Sequence, residues 1–327
     1  MTLPTLSIIL PNYNHGHCLP VAVKAILQQS VQPLEIVIID DGSTDDSVKI
    51  IEALANQHPV IRFYRNEQNL GVCATINRGI DLAKGDYVFL TGADDEILPG
   101  FLGKSLRLLA EHPQAGLSCT IGDWREAATG LNWHVGVGMA EKPAYLPPKK
   151  MLELERRGRL FIPGHTIILK RAALIEAGKL IPELKLTVDW FVAYVIGFRH
   201  GICVVPEPLA VFQILPNSYY GRSRRDKRGY REVLEHMLLL LNQPKYQAAT
   251  ELIREGGSLY IFGMPMFGLL WNRPEYRRFL NRAFLRKNLW HSTKLVLKKF
   301  TPAFLGNWYF RISGYRVPSP RPLADRN

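Results

Sequence analysis

With 327 residues, 47% of them hydrophobic and 21% charged, the chain can bury one large core or two modest ones, which excludes a disordered protein. Its net charge of +12 is unevenly placed: from Arg222 onward there are 21 Lys/Arg against 7 Asp/Glu, and before it 20 against 22, so the basicity belongs to the C-terminal region. The four cysteines, Cys18, Cys73, Cys119 and Cys203, lie far apart with no Cys-x-x-Cys pair, which argues against a zinc site and for a reducing compartment.

The opening residues, MTLPTLSIIL, lack a basic leader and run straight into a strand pattern, so no signal peptide is expected. Leu6 to Leu10 is a continuous apolar run, as in a strand covered on both faces. Pro11-Asn12-Tyr13-Asn14 breaks it. A helix over His17–Gln29 follows, with Leu19, Val23, Ile26 and Leu27 on one face. A second buried strand, Leu34 to Ile39, ends in Asp40-Asp41-Gly42-Ser43. Thr44 or Asp45 can cap the next helix, which carries Val48, Ile51 and Leu54. Val60 to Tyr64 is a third strand. Asn69-Leu70-Gly71 turns into a helix through Ile76, Ile80 and Ala83, which Gly85 ends. A fourth strand, Tyr87 to Thr91, stops at Gly92, and Asp94 and Asp95 follow at once.

This alternation predicts an α/β fold with a mostly parallel sheet and helices on both faces. The acidic turns after the second and fourth strands then fall on one edge, the edge where open α/β sheets bind ligands. Two adjacent carboxylates there suit a hard divalent cation that holds a diphosphate. Alone, such a pair is more often a solvated turn.

Three blocks in register, SIILPNYN, EIVIIDDGSTDDS and NLGVCATINRGIDLAKGDYVFLTGADD, resemble the nucleotide-binding half of a family 2 glycosyltransferase of the GT-A, Rossmann-like fold. The match covers residues 5–99 and continues more weakly to about Gln213. The resemblance implies an inverting, metal-dependent transferase of hexosyl type that takes a nucleotide-sugar donor, most readily a UDP-sugar. It places Pro11, Tyr13 and Asp41 in the base pocket, where a carboxylate can accept the ring N–H of uracil. Asp40 is read as structural, capping the turn. Asp94 and Asp95 match the acidic end of the family's Asp-x-Asp motif, Asp94 with the donor and both with the metal, Mn2+ or Mg2+. Gly92 stands where the family has its first Asp, which puts the ribose contact and the metal geometry in question.

Glu96 to Pro99 leads to a helix, Phe101–Glu111, and Ala115 to Ile121 reads as a strand. Trp124, Trp133 and His134 fall in a Gly-rich, loop-like stretch, either stacking on sugar faces or packing the core. Pro147-Pro148 starts a short helix with Leu152 and Leu154. The basic run Arg156-Arg157-Gly158-Arg159 reads as a solvated turn. Phe161 to Arg171 resembles the family segment that returns under the donor. Its His165 is either a structural histidine or, as the family implies, a polar group near the diphosphate or metal. Asp189 begins a helix over Leu186–Gly201. It is either a stabiliser of the helix N-terminus or, by resemblance, the general base, with Val188 where the family usually has Glu. Cys203–Val205 and Leu209–Gln213 read as closing strands around Pro206-Glu207-Pro208.

Two regions are expected: a catalytic domain over 1–216, divided into a nucleotide-binding half (1–99) and an acceptor half (100–216), and a basic, mainly helical region over 217–327. In the second, Asn217–Arg231 is loop-like, Glu232–Asn242 and part of Tyr246–Glu255 are helical, and the tail from Pro318 is disordered. The apolar run Leu259–Trp271 is too short to span a bilayer and contains Pro265, so it is buried or interfacial. Tyr276–Lys287 reads as an amphipathic helix, with Tyr276, Phe279, Leu280, Ala283 and Phe284 opposite four arginines. The aromatic face either meets anionic lipid or packs on the catalytic domain.

Cell-envelope or polysaccharide glycan synthesis is the expected setting, with a glycan or lipid-linked acceptor. The expected location is the cytoplasm, with peripheral attachment at the inner membrane face. A non-catalytic, degenerate transferase domain that binds nucleotide or membrane is the alternative, supported by Gly92 and opposed by the retained Asp41, Asp94, Asp95 and Asp189. Nucleic-acid binding through the basic region has no motif to support it.

Overall fold

The computed structural model describes residues 2–126, 130–214 and 227–300. The boundary expected at 216, residues 217–226 of the expected loop and the tail from 318 lie outside the described residues; the rest of that expected loop, 227–231, is instead the start of a helix, Lys227–Leu241.

The first half alternates as its hydrophobic pattern requires: β1 (Leu6–Asn12), α1 (Leu19–Leu27), β2 (Glu35–Asp40), α2 (Ser47–Gln57), β3 (Ile61–Arg65), α3 (Val72–Leu82) and β4 (Tyr87–Leu90). Every residue of β2 is buried, because helices cover the sheet on both faces. These strands pair in parallel in the order β3-β2-β1-β4. The acidic turns after β2 and β4 therefore leave the same sheet edge, as strand polarity predicts.

Beyond β4 the sheet is mixed. β5 (Glu96–Ile97), α4 (Phe101–Glu111), β6 (Leu117–Glu126), β7 (Leu131–Val135), β8 (Ala144–Leu146), α5 (Pro148–Arg156), β9 (Ile168–Lys170), α6 (Arg171–Glu176), α7 (Val188–His200) and β10 (Ile202–Ile214) follow. β9 runs antiparallel between β4 and β6, with Ile168 facing both Phe89 and Ser118. Its start thus lies where β4 ends, and the turn just before it, Gly164–Thr166, is delivered to the ligand edge.

Two sequence expectations change here. Trp124, Trp133 and His134 are not in a loop. β6 and β7 form an antiparallel hairpin in which Trp124 faces Trp133 and Asp123 faces His134. Cross-strand aromatic pairing outweighs the glycines that made the stretch look irregular. The two closing strands are a single one, β10, whose register against β6 slips between Val205 and Ala210. Pro206 and Pro208 lack the N–H a ladder needs, and a bulge is where a strand tolerates them.

The C-terminal region is helical: α8 (Lys227–Leu241), α9 (Gln247–Gly256), α10 (Gly263–Asn272) and α11 (Arg282–Phe300). The helix expected over Tyr276–Lys287 is broken. Pro274–Phe279 is a 3-10 turn, Leu280 leaves the helical region at ψ 57, and Asn281 Oδ1 accepts the Phe284 N–H at 2.9 Å as α11 begins. Its aromatic side chains do not face solvent: Tyr276 is 7% exposed, Phe279 1% and Phe284 0%. They join a core cluster with Leu234, Ile253 and Leu259 of the C-terminal region and with Phe191 and Val195 of α7. α7, apolar on nearly every face, is covered by α5, α9 and the sheet. A second cluster, on α1, α4 and the strands between them, fills the opposite face.

Candidate active site

β4 ends in a tight turn. The Gly92 N–H donates to Asp95 Oδ2 at 3.1 Å, and the Asp95 N–H returns to the Gly92 carbonyl at 3.4 Å. The turn presents Asp94 outward, exposed, and holds Asp95 half-buried behind it. A Cβ at position 92 would lie 2.6 Å from Asp94 Oδ1, so the Asp94 carboxylate fills the space that a side chain at 92 would need. Glycine here is what lets Asp94 fold back over the turn.

Asp95 is pushed up to about 7, first by burial, then by the nearby Asp94 and Asp189 carboxylates, against the Gly92 N–H that favours its charge. Asp189 stands in the first turn of α7. It packs against the turn that carries His165: a Cβ at Gly164 would come within 2.8 Å of Asp189 Oδ2. Asp189 is an exposed residue on the cleft, and the protein around it partly desolvates the carboxylate and raises its pKa.

His165 shares this wall. Burial holds its pKa down to about 4, so it is neutral at physiological pH, and the ring bonds the Ala210 carbonyl. Nε2 is buried with no hydrogen-bond partner among the described residues. A neutral imidazole with a free nitrogen can accept a hydrogen bond from a hydroxyl.

These groups line one cleft of about 360 Å³, together with Pro11, Cys73, Trp124 and Phe212. Of the residues placed in the site from sequence, the structure brings Pro11, Asp94, Asp95, His165 and Asp189 together on it. Tyr13 and Asp41 are not on its wall. Tyr13 is 43% exposed at the sheet edge. Asp41 is buried and occupied: Oδ1 accepts from Asn66 Nδ2 (2.7 Å) and the Leu70 N–H (2.9 Å), and Oδ2 from the Gly71 N–H (3.0 Å). It anchors the loop before α3. Asp40 caps its own turn as expected, accepting the Ser43 N–H at 2.9 Å and Asn12 Nδ2 at 3.0 Å.

Lys185 has no signal in the sequence. It is the only Lys or Arg among the described residues that line the cleft, and its backbone sits at φ 46, ψ −125, a region that side-chain-bearing residues rarely adopt. The hairpin aromatics lie beside it as a cluster. Trp124 contacts Trp133, Phe161 and Phe212 at ring separations of 5.8, 6.5 and 5.7 Å, so they both pack together and, through Trp124 and Phe212, face the cleft.

Three carboxylates, Asp94, Asp95 and Asp189, thus line one cleft with one lysine among the described residues. Among the described residues, no set of three or more His, Cys, Asp or Glu converges to cage a metal. Asp94 and Asp95 nevertheless fit a hard cation, because such ions commonly take one or two carboxylates and complete their shell with phosphate oxygens and water.

Residues 7–178 match the family model described as glycosyl transferase family 2. The uncharacterized glycosyltransferase YibD of Escherichia coli (strain K12) is 36% identical over 128 residues, which are 39% of this chain and 37% of that protein. The Campylobacter jejuni protein named GalNAc(5)-diNAcBac-PP-undecaprenol beta-1,3-glucosyltransferase is 35% identical over 31% of this chain and 33% of its own. The matches take up 37%, 45% and 66% of three such relatives, so the chain spans about a third to two thirds of their lengths. Among solved structures, S. aureus TarS 1-349 in complex with UDP-GlcNAc superposes with a TM-score of 0.59 at 18% identity, over 78% of this chain and 73% of that one. The mannosyltransferase PcManGT from Pyrobaculum calidifontis, in complex with GDP-Man and Mn2+, gives 0.55 at 17% identity over 89% and 88%. At this identity the likeness establishes the fold, GT-A.

Proposed function

The chain belongs to glycosyl transferase family 2, and from that premise we propose that it moves a sugar from a nucleoside-diphosphate donor to an acceptor hydroxyl with inversion at the anomeric carbon. One observation carries the reading: Asp189 and the Asp94–Asp95 turn share one cleft at the ligand edge of the sheet. Asp189 takes the proton from the acceptor hydroxyl. That oxygen bonds to the anomeric carbon as the bond to the diphosphate breaks, and the leaving diphosphate carries off the electron pair. Desolvation raises the Asp189 pKa, which makes it a stronger base. Asp94 and Asp95 would hold Mn2+ or Mg2+, which when bound supplies positive charge for the departing diphosphate. Lys185, on the same cleft wall, would meet those phosphates, and neutral His165 would shape the wall beside them. Asp41 shapes the base pocket through the loop it anchors. For it to meet a base N–H directly, it must share an oxygen already bonded to that loop.

UDP is the favoured nucleotide of the donor. GDP is the control, since structural neighbours hold UDP-GlcNAc in one case and GDP-Man in another. A glycan or lipid-linked acceptor, in envelope or polysaccharide synthesis, is the proposed setting, in keeping with the undecaprenol-linked substrate in one relative's name. Isothermal titration of UDP and GDP with and without Mn2+ tests the donor half. Tighter UDP binding with Mn2+, lost in Asp95→Ala, is expected. Equal affinity with and without the cation would contradict it.

A further inference from the structure

The aromatic face of the C-terminal region packs inward, one of the two readings the sequence left open, and a different surface stays exposed. α11 turns Phe284, Lys287 and Asn288 inward. Its outward residues are Arg282, Leu285, Arg286, Leu289, Trp290 and Thr293, all exposed. Leu285 and Leu289 are one turn apart and 43% and 70% exposed, and Trp290 is 59% exposed. Met264, at the start of α10, extends the apolar strip: it is 57% exposed and lies beside α11, with Asn288 Nδ2 at 3.8 Å from its sulfur.

The other flank is cationic. Arg282 and Arg286 of α11 face Arg156 and Arg157, at the end of α5, across an open groove. Arg156 is paired with Glu255, and Arg286 donates to the Arg156 carbonyl at 2.8 Å. Glu153, at the groove's edge, is paired with Lys150 at 2.9 Å. Arg157 and Arg282 form no ion pair among the described residues. Of the four guanidinium groups lining the groove, only Arg156 has an ion pair among the described residues, so the groove carries an excess of positive charge.

We propose that this face, the arginine groove between α5 and α11 with the Leu285–Leu289–Trp290–Met264 strip beside it, docks on a bilayer surface rich in anionic phospholipid. The arrangement fits that occupant on both counts. Headgroup phosphates match the unpaired guanidiniums, which bind phosphate bidentately. Leu, Met and Trp beside them match the depth just below the headgroups, where interfacial helices bury their apolar side chains. A soluble polyanion would account for the arginines and leave the leucines unexplained. No helix among the described residues is long and apolar enough to cross a membrane, so this mode is surface attachment. The surface owes nothing to the donor chemistry, and its test does not depend on transfer.

Co-sedimentation of the full chain with phosphatidylcholine vesicles, with and without one third phosphatidylglycerol, decides it at two salt concentrations. Arg157→Glu/Arg282→Glu and Leu289→Ser/Trp290→Ser are exposed changes, and a thermal melt shows that each folds. We expect binding to the anionic vesicles only, weakened by salt and reduced about tenfold or more by the charge reversal. The apolar pair of substitutions should also reduce it several-fold. Failure of the wild-type chain to bind, or binding unchanged by either variant, would overturn the proposal. Binding that depends on the arginines but not on Leu289 and Trp290 would overturn it too, in favour of a soluble polyanion.

Discussion

Burial and the neighbouring carboxylates raise the Asp95 pKa far above that of a free aspartate. Its folded pKa, near 7, lies well above the unfolded value of about 3.9. Between those values the folded state binds more protons than the unfolded one, so this residue's contribution to stability falls as pH rises from about 4 to 7 and is level above that. Asp189, also raised, acts in the same direction. Melting curves of the metal-free protein from pH 5 to 8 should therefore fall more steeply for wild type than for Asp95→Asn, and a divalent cation should raise the melting temperature more at pH 8 than at pH 5. Parallel curves for the two proteins would show that Asp95 is not held protonated.

At the scale of elements, α5, α7 and α11 are tied by one buried charge pair. Lys287 Nζ lies 2.5 Å from Glu155 Oε1, with side chains 7% and 1% exposed, and Tyr194 Oη of α7 donates to Glu155 Oε2 at 3.1 Å. Tyr194 in turn stacks on Trp190, next to Asp189, at 4.4 Å. Burial pushes Glu155 up and Lys287 down, each towards its neutral form. Lys287→Met should cost about 3–5 kcal/mol, because it leaves Glu155 buried without its partner. Adding Glu155→Gln should restore part of that loss in urea unfolding. A double variant as unstable as the sum of the singles would mean that the two residues do not interact. The pair was not legible in the sequence, where Lys287 only closed the expected amphipathic helix Tyr276–Lys287. What hid it was the break at Leu280–Asn281: a capping Asn resets the helical phase and carries the periodicity of Tyr276–Phe279 out of register with α11.

Over the whole molecule, legibility follows sequence distance. The β1–β4 half could be read because each strand is a short apolar run and each turn is punctuated by Gly, Asn or Asp, so local pattern and global fold agree. That agreement also placed Asp94 and Asp95 at the right edge. His165 and Asp189 join them only because β9 inserts antiparallel between β4 and β6, a pairing no local pattern announces, and their positions came from family resemblance. Lys185 was out of reach, since its place depends on an unusual backbone conformation. The Trp124–Trp133 hairpin was missed because cross-strand pairing, not periodicity, makes it. We propose that Asp189 removes the acceptor proton in a cleft it shares with the Asp94–Asp95 turn. The direct measurement is the transfer rate of Asp189→Asn at saturating donor and matched acceptor, alongside donor affinity by titration. Transfer should fall by about 10²–10⁴-fold with donor affinity and melting behaviour retained. Transfer at the wild-type rate would contradict the claim and leave Asp189 as a residue that stabilises the start of α7.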